Sequence, residues 1–235
     1  MRVDPRLERR VADLLARYGW RVQRTVDGRP NPAHLWEDDT GFAGRYAALR
    51  RLTLVTPQAA YVLEALARQA LHLHGDFAEV GVYQGGTARL LADVAQPAGR
   101  ALHLFDTFAG MPLVDAARDL HREGDFADTS LAAVEALLSD RPCAQVHPGV
   151  FPGTAAGLED RRFALVHVDV DIYPSVRDAC EFFHPRLVPG GFLVVDDYGW
   201  TSCPGARAAV DEYFAGRPEC PVYLPTGQAL VVRLP

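Results

Sequence analysis

The sequence predicts an α/β fold built on one mostly parallel, doubly wound sheet, and three observations carry that expectation. From about residue 77 onward, short apolar runs that read as strands alternate with segments of helical periodicity. Two of the runs, 163–168 and 192–195, end in carboxylates: Asp169 and Asp171 after the first, Asp196 and Asp197 after the second. Buried parallel strands that stop at an active-site rim have this form. The last two runs, 222–224 and 229–232, flank the turn Thr226-Gly227, which is too tight for a crossover helix. That terminal pair must therefore be antiparallel.

The elements follow in order. Residues 4–18 place Val11, Leu14, Leu15 and Tyr18 on one helical face. The Pro- and Gly-rich stretch 27–32 reads as a loop. Pro57 opens a helix to about His72, with Ala60, Leu63, Leu66 and Leu71 recurring near helical spacing. A strand at 77–82, a helix at 87–94 and a strand at 101–105 ending in Asp106 come next. A helix at 131–138 is capped by Asp128, Thr129 or Ser130. Strands at 144–147 and 163–168, a helix at 176–183, a strand at 192–195 and a helix at 206–214 precede the final hairpin. Residues 1–56 are expected to form an N-terminal helical extension or lid, and 57–235 the sheet domain. About seven strands, one of them reversed, with helices on both faces are the outline of a class I methyltransferase, a Rossmann-like fold. A dinucleotide-binding fold would not end in this hairpin.

Composition narrows the function. A chain of 235 residues, 49% hydrophobic, can bury one sizeable core. Its net charge of -6 argues against a nucleic-acid or anionic-membrane partner. No run approaches a membrane span, and the N-terminus lacks the apolar core of a signal peptide. The four cysteines show no CxxC spacing, so neither a zinc site nor a disulfide framework is suggested. A reduced, cytoplasmic setting is the simplest expectation.

The first strand leads into Glu79-Val80-Gly81-Val82-Tyr83-Gln84-Gly85-Gly86-Thr87, which opens a helix. Glycines there let backbone approach a ligand closely; the alternative is a plain strand-to-helix turn. The loop is neither GxGxxG nor GK[ST], which disfavours pyrophosphate and triphosphate cradles. Glu79 suits a cationic ligand such as S-adenosylmethionine, which carries a sulfonium and an ammonium and no phosphate. Asp106 is placed to accept hydrogen bonds from ribose hydroxyls, or else to cap a helix.

Four carboxylates at two strand ends repel one another unless a cation is present. Oxygen-only ligands point to magnesium, calcium or manganese. Asp169 and Asp171, two apart, share one face of an extended backbone, with His167 below them. A cation held by Asp169, Asp196 and Asp197 would leave Asp171 as a general base. His167 and His184 read as packed, hydrogen-bonded side chains. Tyr173, Tyr198 and Trp200 either line a substrate pocket or pack at its rim.

These residues resemble a known family, the macrocin-type sugar O-methyltransferases (the TylF/MycF/NovP group). The matching stretches are the glycine loop 79–87, Phe105-Asp106-Thr107-Phe108-Ala109-Gly110-Met111-Pro112, the segments 124–130 and 148–154, and 167–173 with 189–198. They run in family order over roughly residues 50–235. The resemblance implies a class I fold, S-adenosylmethionine as methyl donor and a magnesium-dependent O-methylation. It implies that Asp169, Asp196 and Asp197 bind the metal and that Asp171 is the base. It carries cofactor contacts over to Glu79, Gly81, Tyr83, Gly85, Gly86, Thr87, Asp106 and Asp169, to Ser130, Gly149 and Phe151, and to Thr53 in the segment 52–56. It also implies a small-molecule acceptor, a hydroxyl on a glycosylated natural product, and a homo-oligomer. The region before about Arg50 does not match. The loop 199–205 is another source of acceptor specificity. Three other functions compete with this one: a metal-dependent catechol-type O-methyltransferase, a nicotinamide oxidoreductase, and a silent binding protein on the same fold.

Overall fold

A computed structural model describes residues 33–235 and, before them, Val11, Leu14, Leu15, Thr25, Val26, Arg29 and Pro30. The chain divides into two compact units, 1–40 and 41–235. In the first, Val11, Leu14 and Leu15 are helical; the rest of the expected helix at 4–18 lies outside the described residues. Thr25–Val26 pairs antiparallel with Arg29–Pro30. Arg29 and Pro30, expected in a loop, thus form the return of a tight ladder. A one-turn helix, Leu35–Asp38, follows.

The second unit holds a seven-stranded sheet. Its strands are β1 Asp76–Val80, β2 Leu102–Asp106, β3 Ala144–Pro148, β4 Phe163–Val168, β5 Leu187–Val195, β6 Val222–Tyr223 and β7 Ala229–Val232. The spatial order is β3-β2-β1-β4-β5-β7-β6. Neighbours from β3 through β5 are parallel, and β7 runs antiparallel to both β5 and β6. The predicted sheet, with its reversed C-terminal strand, is the sheet observed.

The helices are α1 Thr40–Leu49, α2 Pro57–Ala70, α3 Gly86–Ala95, α4 Leu131–Leu137, α5 Tyr173–Phe183 and α6 Pro204–Phe214. Thr56 caps α2 by accepting from the Ala59 N–H, and proline follows at its first turn. On one sheet face Leu63 and Ala67 of α2, Leu91 of α3 and Val134 of α4 pack against Phe77, Leu104 and Leu165. On the other, Val176 and Phe183 of α5 and Ala206 and Val210 of α6 pack against Val80, Phe105, Val166 and Val195. Strand alternation assigns the two sets to opposite faces.

One unexpected helix and two early starts stand out against expectation. Helix α1 went unread because Gly41 and Gly44 interrupt its pattern. Tertiary contacts sustain it: Phe42 meets Tyr61 edge-on at 5.0 Å, and the Tyr46 hydroxyl donates to the Val55 carbonyl at 2.7 Å. Strand β5 begins five residues early, through Pro189-Gly190-Gly191, because a register shift lets Leu187 pair with Phe163. Helix α5 begins at Tyr173, three residues early, because Asp119 from a distant loop accepts its first N–H.

Candidate active site

Strands β1, β4 and β5 stop level with one another: Val80 pairs with Val168, and Val168 with Val195. Gly81, Asp169 and Asp196 therefore emerge side by side at the C-terminal edge of the sheet, where ligands bind in open α/β folds. A cleft of about 290 Å³ opens there, at the small end of small-molecule sites (roughly 300–1,000 Å³).

The glycine loop forms the floor. Gly81 has φ +88°, and a Cβ on it would stand 1.7 Å from the Asp169 carbonyl oxygen; only glycine lets β1 and β4 converge there. Gly86 lies under the segment 52–53: its N–H donates to the Leu52 carbonyl at 3.0 Å, and a Cβ would meet Leu52 and Thr53 at 2.8 Å. Gly85, at φ +88°, starts α3. These two glycines shape the loop from behind and do not line the cleft. Thr53, Gly81, Tyr83, Thr87, Asp106, Gly149, Phe151, Asp169, Asp171, Asp196 and Asp197 do line it.

Two further expected contact residues are not among those lining the cleft. Glu79 is fully buried beneath the floor, its Oε1 2.9 Å from His167 Nδ1. The two are cross-strand neighbours on the same sheet face, which pairs Oε1 with the histidine and leaves Oε2 without a hydrogen-bond partner. Ser130 caps α4 by accepting from the Ala133 N–H and lines a separate cleft with Leu52 and Gln84. Asp106 faces the site, but its Oδ2 accepts from the Val82 and Tyr83 N–H groups at 2.7 and 2.8 Å, and its Oδ1 from Phe108 N–H at 2.7 Å. It fixes the loop first, and any ribose contact uses its remaining lone pairs.

Ligand oxygens of Asp169, Asp196 and Asp197 lie within 4.8 Å of one another. Burial, then the neighbouring carboxylates, holds the carboxyls of Asp169 and Asp197 well above the usual range. Beneath them His167 is fully buried, with Nε2 3.6 Å from Asp196 Oδ1. Burial disfavours its charge, but Asp196 and Glu79 outweigh burial and push its pKa up to about 10. An imidazolium on one side offsets part of the negative charge; the open side still faces three carboxylates. Gln228 donates to Asp196 Oδ1 at 2.8 Å and fixes that carboxylate's orientation. A buried, oxygen-only donor set of this kind fits a hard divalent cation.

Asp171 does not share a face with Asp169. The strand ends at Val168, and Asp171 takes φ +56°, its N–H donating to Asp197 Oδ2 at 2.9 Å. Its carboxylate turns to the cleft wall beside Cys203 and His121. Burial raises its pKa, and the Cys203 thiol and His121 oppose that rise. The wall also includes Met111, Phe126 and Trp200. Tyr173 and Tyr198 are rim packing instead, their hydroxyls donating to Glu212 and Asp211. His121 and Cys203 carried no sequence signal, since each lies in a loop far along the chain from Asp171.

This sheet order, with a glycine loop and an acidic cluster at its C-terminal edge, defines a class I methyltransferase. The macrocin-O-methyltransferase (TylF) family matches residues 50–218, and the chain belongs to that family of O-methyltransferases. It is 32% identical over 205 residues to an 8-demethyl-8-(2,3-dimethoxy-alpha-L-rhamnosyl)-tetracenomycin-C 4'-O-methyltransferase of Streptomyces olivaceus, covering 80% of this chain and 74% of that one. It is 34% identical over 157 residues to a mycinamicin III 3''-O-methyltransferase of Micromonospora griseorubida, covering 59% of this chain and 60% of that one. The structure of the O-methyltransferase NovP superposes with a TM-score of 0.63 at 24% identity, over 78% of this chain and 84% of that one. That likeness shows the fold.

Proposed function

We propose that the chain transfers a methyl group from S-adenosylmethionine to a sugar hydroxyl of a glycosylated natural product, with a magnesium ion at Asp169, Asp196 and Asp197. The observation that carries this reading is the position of Asp171. It lines the same cleft as the carboxylate triad and the glycine-loop residues Gly81, Tyr83 and Thr87, and its N–H donates to Asp197 of that triad. The relatives from Streptomyces olivaceus and Micromonospora griseorubida are named for methylating sugar hydroxyls.

The donor supplies an electrophilic methyl, and the cation supplies Lewis acidity toward a hydroxyl and neutralises the triad. The chain's own residues do the rest. Gly81, Tyr83 and Thr87 shape the donor's floor, and Asp106 holds that loop in place. Thr53, in the segment packed over Gly86, closes the donor side. Asp171 accepts the acceptor's hydroxyl proton at its carboxylate, a role its raised proton affinity suits. Met111, Phe126 and Trp200 give the acceptor an apolar wall that excludes water.

Calorimetric titration with S-adenosylhomocysteine, with and without magnesium, and with NADH as control, tests the cofactor. Binding of the adenosyl ligand alone is expected; binding of NADH in its place overturns the reading. Turnover on glycosylated acceptors but not on catechols separates sugar from aromatic-diol chemistry.

A further inference from the structure

We propose that His121, Asp171 and Cys203 form a second metal site, selective for a thiophilic divalent ion such as zinc and distinct from the oxygen-only triad beside it. Cys203 Sγ lies 3.2 Å from Asp171 Oδ1 and 3.7 Å from His121 Nε2, and His121 Nε2 lies 3.8 Å from Asp171 Oδ1. Tetrahedral zinc, with bonds of about 2.3 Å to sulfur and about 2.0–2.2 Å to nitrogen and oxygen, sets its ligand atoms about 3.4–3.6 Å apart. The three atoms are thus within a few tenths of an ångström of that spacing with no ion required to draw them in.

The surroundings support the same chemistry. His121 presents Nε2 to the cluster and keeps Nδ1 3.4 Å from Asp125 Oδ2. A carboxylate behind a metal-binding imidazole fixes its tautomer and orientation. Asp171 is held by its N–H bond to Asp197, and Cys203 is buried. All three residues line the cleft, so a fourth coordination position opens toward it. The thiol separates this site from the triad, since sulfur and imidazole favour zinc where three carboxylates favour magnesium. On binding, the Cys203 S–H bond breaks, the metal–sulfur bond forms, and one proton leaves to solvent for each ion bound.

The site rests on its own geometry. Its consequence rests on the proposed role of Asp171, because an ion there occupies that carboxylate and stops turnover. Binding is therefore read directly. The 235-residue chain is titrated with cobalt(II) as a spectroscopic probe in saturating magnesium. One equivalent is expected to give a thiolate-to-cobalt charge-transfer band that zinc bleaches stoichiometrically. Cys203→Ser should abolish the band. His121→Gln should weaken cobalt binding at least tenfold while the band survives at high metal. Asp196→Asn should leave the band intact. Circular dichroism confirms that each variant is folded. A band that persists in Cys203→Ser, or no band in the unmodified chain, overturns the proposal. Inhibition of turnover by zinc that is unchanged in Cys203→Ser overturns the link to Asp171 and leaves the spectroscopic result to stand for the site.

Discussion

Single residues decide whether this site exists. Asp171 sits in the left-handed region, a conformation costly for a residue with a Cβ, with its N–H donating to Asp197 and its carboxylate accepting from the Cys203 thiol. Asp171→Asn keeps the shape and removes the proton acceptor. Its turnover is expected to fall by at least about 100-fold, the lower range for general-base loss, while S-adenosylhomocysteine affinity stays near that of the parent. Turnover close to the parent's would remove Asp171 as the base. Gly81→Ala is a stricter case. The positive φ alone costs about 1–3 kcal/mol, and the new Cβ would overlap the Asp169 carbonyl. The denaturant midpoint is expected to drop by more than that strain accounts for, with donor binding lost; a stable, donor-binding variant would show that β1 and β4 can part without harm.

At the scale of elements, the segment between β2 and α4 lines the cleft through Met111, His121 and Phe126 and is held by Asp119. That carboxylate accepts from the Asp115 N–H within its own segment and from the Tyr173 N–H at the start of α5, both at 2.8 Å. A Cβ on Gly205 would stand 1.8 Å from it, so α6 also begins against this anchor. Asp119→Ala removes a cap worth about 0.5–2 kcal/mol and frees the segment bearing Met111, His121 and Phe126. Steady-state kinetics should show the acceptor KM rising more than kcat falls, with the donor KM unchanged. An equal loss in both substrates' KM would mean that Asp119 supports the whole domain instead.

For the whole molecule, the buried charge cluster sets how stability follows pH. The folded-state pKa of His167 is raised from 6.5 to about 10, so its contribution is full below pH 6.5 and is lost as pH climbs through about 10. The carboxyls of Asp169 and Asp197 are also raised in the folded state, so their contribution is full below the usual carboxyl value and is lost as pH rises from there through their folded-state values. All three act in one direction. The metal-free enzyme should lose thermal midpoint steadily between about pH 6.5 and pH 10. A bound cation stabilises by mass action and favours the ionised carboxylates, so the midpoint gained from magnesium should widen over the same interval. A metal-free midpoint that rises across this range would contradict the cluster's electrostatics.

What the sequence determined by itself was the sheet, its reversed end, the glycine loop and the aspartates that gather at the sheet's edge. Those signals are local: apolar runs, a turn too short for a crossover, and aspartates at the ends of two strands. Among the described residues no helix is long and apolar enough to cross a membrane, in keeping with the absence of any such run. Only the tertiary structure decided where the side chains point and what they meet. Glu79 lies below the floor because register sets it beside His167. Asp171 leaves the extended geometry expected of it, at φ +56°, because the strand stops one residue before Asp169. Its neighbours His121 and Cys203 come from loops 50 residues earlier and 32 later. Periodicity and spacing report on a chain's own next few residues; contacts made across a sheet edge by loops appear only once the sheet has ordered them.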